Sequence, residues 1–283
     1  MSDERRAADG WRQVPEEPGL FTAGPEDGIP LVLVHGIRLS AWMWQPYAAR
    51  LTPHFRITAC DLPGHGTLRA GRFTLEGAAD QVAAAVQEAA RSTGRRPWVA
   101  GVSLGGYATL AYGASDRCQA AGLLVNGSTA RAGGRVTREF TAMSRVIDRV
   151  GGERATRVNE AVFRRFLPYE TAAAVVHGGL AMETFPEVVA DLGRRDFLAL
   201  ARACTTPVQF VNGRRDRRFR SDERAFLEAV RADGTAAGLA LVPGGHISCL
   251  THPDQYSRIL LRGHRELTRL AGRSGPAGNK ESS

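Results

Sequence analysis

Short apolar runs recur along the chain at 31–34 (LVLV), 55–60, 97–102, 120–126, 206–212 and 238–243, each bounded by turn-forming residues. Runs of this length suit strands buried on both faces, as in a parallel sheet. Between them, residues 74–93 set Leu75, Ala79, Val82, Val86 and Ala89 three and four positions apart. That spacing lines up one apolar stripe on a helix. Stretches at 44–52, 104–114, 220–232 and 253–270 read as further helices. Strand and helix in alternation predict an α/β fold, with a mostly parallel sheet covered by helices on both faces.

The alternation breaks between residues 129 and 195, where no strand-like run occurs and helical spacing takes over: Phe140, Met143, Val146, Ile147 and Val150, then Val158, Val162 and Phe166. This segment is expected to be a helical cap inserted between two parts of one core, 1–128 and 196–271. Gly133, Gly134, Gly151, Gly152, Gly178 and Gly179 punctuate it, as helix ends and hinges require. The tail 272–283, GRSGPAGNKESS, is nearly devoid of apolar residues and is expected to be disordered. No internal repeat is visible.

Composition supports a globular protein: 283 residues, 43% hydrophobic and 23% charged. The formal charge of +8 would suit a polyanion partner, but its distribution does not. Lys280 is the single lysine among 37 basic residues, and the arginines are scattered from Arg5 to Arg273 without an aromatic-interleaved stripe. A nucleic-acid partner is therefore not expected. Residues 1–10 carry Asp3, Glu4, Arg5 and Arg6 and no apolar h-region, and nowhere do 18 apolar residues run together. Neither export nor membrane insertion is expected. Cys60, Cys118, Cys204 and Cys249 form no CxxC pair, which fits core thiols in a reducing cytoplasm better than a zinc cage or a disulfide framework.

The sharpest chemical signal is Gly101-Val102-Ser103-Leu104-Gly105, set between the apolar run PWVAG and the helical stretch LGGYATLAYG. It resembles the nucleophile elbow of the α/β-hydrolase family. A serine raised on so tight a strand-to-helix turn crowds the positions two before and two after it, and glycine stands at both. The phosphate-loop patterns GxGxxG and GxxxxGK[ST] are not matched here. The resemblance implies an α/β-hydrolase fold and a chain order of serine, acid, histidine. A serine hydroxyl needs such a base, and the base an orienting carboxylate.

Asp216 follows the strand PVQFVNG and His246 the strand LALVPGG, so both stand where open α/β sheets build their sites. His252 is the rival base, but it directly precedes Pro253 at a helix start, which suits a capping or surface role. Asp196 and Asp222 are rival acids; Asp196 reads as part of a lead-in helix and Asp222 as a first-turn residue of the next one. Some family members take the acid from an earlier strand end, occupied here by Asn126, which cannot carry the charge.

The family also implies an oxyanion hole made of backbone N–H groups, here those of Leu104 and of Ile37 in the loop His35-Gly36-Ile37-Arg38. His35 is expected to brace that loop. The turn Asp61-Leu62-Pro63-Gly64-His65-Gly66 matches a structural turn of the family, and neither Asp61 nor His65 is a candidate for chemistry. Serine at 103 argues against the haloalkane dehalogenases and epoxide hydrolases, which carry aspartate there.

Arg214, Arg215, Arg217, Arg218 and Arg220 surround Asp216; they suit either a solvated loop or a site for an anionic part of the substrate. The expected activity is hydrolysis of a small-molecule ester, thioester or lactone, without metal or cofactor. Acyl transfer, carbon–carbon bond hydrolysis and perhydrolysis use the same residues in relatives of this fold, and a non-catalytic receptor is the alternative of another class.

Overall fold

The structure, a computed structural model, describes residues 10–273. The charged segment 1–9 and the tail 274–283 lie outside the described residues. Among the described residues, eight strands form one sheet in the order β1-β2-β4-β3-β5-β6-β7-β8. The apolar runs become β3 (Ile29–Val34), β4 (Phe55–Cys60), β5 (Trp98–Val102), β6 (Gly122–Asn126), β7 (Val208–Gly213) and β8 (Ala237–Val242). These pair in parallel. Two strands have no counterpart in the hydrophobic pattern: β1 (Arg12–Gln13) and β2 (Leu20–Ala23) add antiparallel at one edge. At two and four residues they are too short to establish a period.

Side chains alternate faces along a strand, so a run apolar at every position feeds two cores. In β3, Leu31 and Leu33 enter one cluster and Val32 and Val34 the other. Helices α1 (Ala48–Leu51), α2 (Leu75–Thr93) and α3 (Leu104–Gly113) follow β3, β4 and β5. The segment expected to be helical over 44–52 divides between a 3₁₀ turn, Ala41–Tyr47, and α1. Pro46 inside the 3₁₀ turn has no N–H for an α-helical bond. Helix α2 starts where Thr74 Oγ1 accepts the N–H of Gly77 (3.0 Å) and stops at Gly94, whose φ of +67° lets its N–H reach Ala90 O (2.8 Å).

Between β6 and the next core helix the chain forms α4 (Arg135–Val150), α5 (Gly152–Phe166), α6 (Tyr169–His177) and α7 (Phe185–Leu192), with no strand from 129 to 195. Polar contacts pin this helical segment to the rest. Glu187 accepts the N–H of Phe73 (2.9 Å) and pairs with Arg72 (2.8 Å), Asp191 accepts the N–H of Leu75 (3.0 Å), and Arg50 meets Glu170 (2.7 Å). The core resumes with α8 (Phe197–Ala203), α9 (Glu223–Arg231), α10 (Ser248–Thr251) and α11 (Pro253–Arg273). Helix α11 runs two residues into the segment expected to be a tail. No helix among the described residues is long and apolar enough to cross a membrane.

Candidate active site

Ser103 stands between the end of β5 and the start of α3 with φ 54° and ψ −117°. Among the described residues, the other non-glycine positive-φ positions are Glu16 and Arg38. The surrounding glycines make the turn possible. A β-carbon on Gly101 would strike the carbonyl of Gly105 and Thr109 Oγ1; one on Gly105 would strike the carbonyl oxygens of Val34 and His35. The N–H of Ser103 donates to Asn126 O (2.9 Å) and its carbonyl accepts from Ser128 Oγ (2.8 Å), which fixes the strained residue from both ends.

His246 Nε2 lies 3.0 Å from Ser103 Oγ, and His246 Nδ1 lies 2.8 Å from Asp216 Oδ2. An ionised carboxylate only accepts, so Nδ1 carries the proton and Nε2 is left to accept from the serine hydroxyl. The carboxylate is 4% exposed and the imidazole 26%. The turn bearing Asp216 is tied to the turn bearing His246 by Arg215 N–H to Gly244 O (2.9 Å), and Asp216 Oδ1 accepts the N–H of Phe219 (3.3 Å). Phe219 stacks on the imidazole, ring centroids 3.8 Å apart at 15°. Behind the ring stands Gly127 at φ +61°, where a β-carbon would lie 3.1 Å from His246 Nδ1. Neither Phe219 nor Gly127 carries a sequence signal, because both act through shape against a residue distant in the chain.

The N–H groups of Ile37 and Leu104 have no acceptor among the described residues. Leu104 opens α3, so its N–H is one of the unpaired donors at a helix start. Ile37 lines the cavity beside Ser103, and a β-carbon on Gly36 would stand 3.7 Å from Ser103 Cβ. Two buried histidines hold this loop. His35 Nε2 accepts the N–H of Leu62 (2.9 Å), and its Nδ1 donates to Gly36 O (2.8 Å). His65 repeats the pattern, with Nε2 accepting from the N–H of Arg38 (3.2 Å) and Nδ1 donating to Pro63 O (3.0 Å). Burial lowers the two imidazoles to about 4 and about 3, so both stay neutral. Asp61 accepts from the N–H groups of Ala41 (2.7 Å) and Thr67 (2.8 Å), and burial raises its carboxyl above the usual range.

The cavity has two lobes that meet at Ser103, Ile37 and Phe140. One is lined by Leu104, Tyr107, Val136, Val189 and Phe197; the other holds His246 with Arg38, Met143, Phe163 and Leu250. Phe140, Met143 and Phe163 come from α4 and α5, so the inserted helices roof the serine.

The rival residues lie elsewhere in these contacts. His252 is exposed, with Nδ1 2.7 Å from Thr251 Oγ1. Asp196 proves to be the N-cap of α8, accepting from Leu198 and Ala199 N–H, rather than part of the helix itself. Asp222 stands one residue before α9 and pairs with Arg131 (2.8 Å). Of the arginines around Asp216, Arg214, Arg215, Arg217 and Arg218 are exposed, Arg218 meets Glu139 (3.2 Å), and Arg220 meets Glu223 (2.8 Å). Among the described residues, no three of His, Cys, Asp or Glu gather as metal ligands would.

The chain is 29% identical over 250 residues to the pimeloyl-[acyl-carrier protein] methyl ester esterase of Xanthomonas axonopodis pv. citri (strain 306), covering 83% of this chain and 94% of that protein. A carboxylesterase structure from Nitrososphaera gargenis superposes with TM-score 0.69 at 17% identity, covering 92% of this chain and 99% of that one. The enol-lactonase of Burkholderia xenovorans LB400 superposes with TM-score 0.64 at 19% identity, covering 87% and 95%. The sequence profile of the alpha/beta hydrolase family matches residues 31–259, a span that contains Ser103, Asp216 and His246, and the chain belongs to that family.

Proposed function

We propose that this protein is a serine hydrolase of carboxylic esters, acting on a small acyl substrate through an acyl-enzyme on Ser103. The observation that carries the reading is the hydrogen-bonded series Asp216, His246, Ser103, set on a strained turn. His246 Nε2 takes the serine proton as Oγ attacks the ester carbonyl. The oxygen that becomes negative is met by the N–H groups of Ile37 and Leu104, which have no acceptor among the described residues. Asp216 keeps the imidazole in the required tautomer and stabilises the imidazolium. His246 then gives its proton to the departing alcohol. In the second half, water takes the place of serine as nucleophile, the same imidazole removes its proton, and the acid leaves as Ser103 is restored.

We assign residues 129–195 as the cap that selects the acyl group, and 1–128 with 196–271 as the core. The esterase named among the relatives supports hydrolysis of an oxygen ester over the other reactions this fold hosts. We assign the cytoplasm as its compartment, which suits four free thiols. The test is a fluorophosphonate followed by intact mass. The wild type should gain one adduct on Ser103, and Ser103→Ala none. Absence of both labelling and turnover on a panel of acyl esters would leave a receptor with a hydrolase fold.

A further inference from the structure

Among the described residues, Arg38 is the one arginine or lysine lining the His246 lobe of the cavity, and it has no counter-ion there. Its guanidinium donates through Nη1 to Asn159 Oδ1 (2.8 Å) and lies 5.1 Å over the ring of Phe163, both on α5. Asn159 is oriented for this by its own amide, which donates to Ala155 O (2.9 Å). Among the described residues, no carboxylate comes within ion-pair distance of Arg38, whereas Arg131 at the other lobe is neutralised by Asp222 (2.8 Å). Burial alone lowers the pKa of the guanidinium, with no nearby acid to raise it, and an arginine remains charged regardless. None of its nitrogens is both sealed from solvent and unpartnered, so the donors not used by Asn159 keep some contact with solvent.

The backbone adds an independent observation. Arg38 has φ +61°, a conformation that L side chains rarely adopt, and it is held there by His65 on its N–H and by Ala181 N–H on its carbonyl (3.0 Å). Of the few strained residues, Ser103 and Arg38 line the same lobe. Strain held in place by surrounding structure marks a residue whose position matters. A cation without a carboxylate partner, in a lobe also walled by Met143, Phe163, Phe185 and Leu250, suits a ligand with a short apolar stretch and an anionic end.

We propose that Arg38 is an anion anchor within the active-site cavity, and that the ester hydrolysed here carries a carboxylate a few carbons from the scissile bond. The inference rests on the ester-hydrolase reading and names its substrate class. Because the lobe also holds His246, which protonates the leaving alcohol, the carboxylate can enter on the acyl or the alcohol side, and the experiment separates these.

One series uses 4-nitrophenyl esters of glutaric, adipic and suberic acid, each as the free acid and as its neutral methylamide. The other uses acetates of ω-hydroxy acids and of their methylamides. In at least one series the wild type should prefer the acid by about tenfold or more in kcat/KM, mainly through KM. Arg38→Met and Arg38→Gln should bring that ratio to about one, and Arg38→Lys should keep part of it. A purely structural tie to α5 predicts instead equal losses on acid and amide. Calorimetry on Ser103→Ala supplies a second readout: it should bind monomethyl adipate more tightly than dimethyl adipate, and Arg38→Met should erase the difference. Turnover of the neutral esters without any preference for the acids would overturn the anchor and leave the hydrolase standing. If no ester turns over and Ser103 resists the phosphonate, the hydrolase reading fails, and the calorimetry still decides the anchor. Should Arg38→Met not fold, the wild-type ratio and the Lys variant carry the test.

Discussion

At the scale of single residues, the two buried histidines beside the Ile37 loop carry a pH dependence. His35 and His65 are lowered by burial from an ordinary 6.5 to about 4 and about 3. Above pH 6.5 both are neutral folded or unfolded, and they cost nothing. As pH falls below 6.5 the unfolded chain binds protons that the folded chain refuses. Stability is therefore lost progressively from 6.5 down to about 4 for His35, and down to about 3 for His65. The full loss is on the order of 3 kcal/mol for His35. Asp61, whose carboxyl is raised by burial, has the opposite sign, over a window that opens at the ordinary carboxylate value. Thermal melts between pH 7.5 and 4.5 check this. His35→Asn keeps the Nδ1–H donor's place and should melt lower at pH 7.5, yet lose less on acidification than the wild type. An equal slope in both would show that these imidazoles do not set the acid limit.

At the scale of elements, the parallel strands β3 to β8 were legible as apolar runs bounded by turn residues, whereas the short antiparallel edge strands β1 and β2 were not. Helix α2 was legible because its period, its Thr74 cap and its Gly94 stop agree. The helical insertion was legible as the absence of strand runs from 129 to 195. What it does at the site was not. Phe140 of α4 borders both cavity lobes, stacks on Phe185 of α7 (5.7 Å, 10°) and meets Phe219 edge-on (5.8 Å), while Phe219 covers His246. In sequence it is one more apolar position on an amphipathic helix, since contact between elements sets its role. Phe140→Ala should merge the lobes and loosen the placement of short acyl groups. We expect kcat/KM for an acetyl ester to drop about tenfold, while octanoyl esters lose less or gain. An unchanged chain-length profile would remove α4 from substrate selection.

At the scale of the whole molecule, Ser103, Asp216 and His246 follow β5, β7 and β8, and the inserted helices separate the first from the other two. Their order was legible from the elbow and the strand ends. Arg38, Phe219 and Gly127 were not, because contacts with residues distant in the chain are written in no local pattern. Only closure of the sheet in the order β5-β6-β7-β8 brings His246 Nε2 within 3.0 Å of a serine 143 residues away in sequence. The three side chains therefore form one hydrogen-bonded unit, and their removal should not add. Ser103→Ala should lower kcat by about three to six orders of magnitude, since alanine suits the turn and only the nucleophile is lost. His246→Ala should cost about as much, because without a base the hydroxyl keeps its proton. Asp216→Asn should cost about four orders or fewer, through the wrong imidazole tautomer. The double variant Ser103→Ala/His246→Ala should then be no slower than the worse single one, with the unpaired N–H groups of Ile37 and Leu104 supplying what rate remains. Single-turnover rates on an activated ester measure all four. Multiplying losses would mean that serine and histidine act at separate steps, and that water rather than Ser103 attacks the ester.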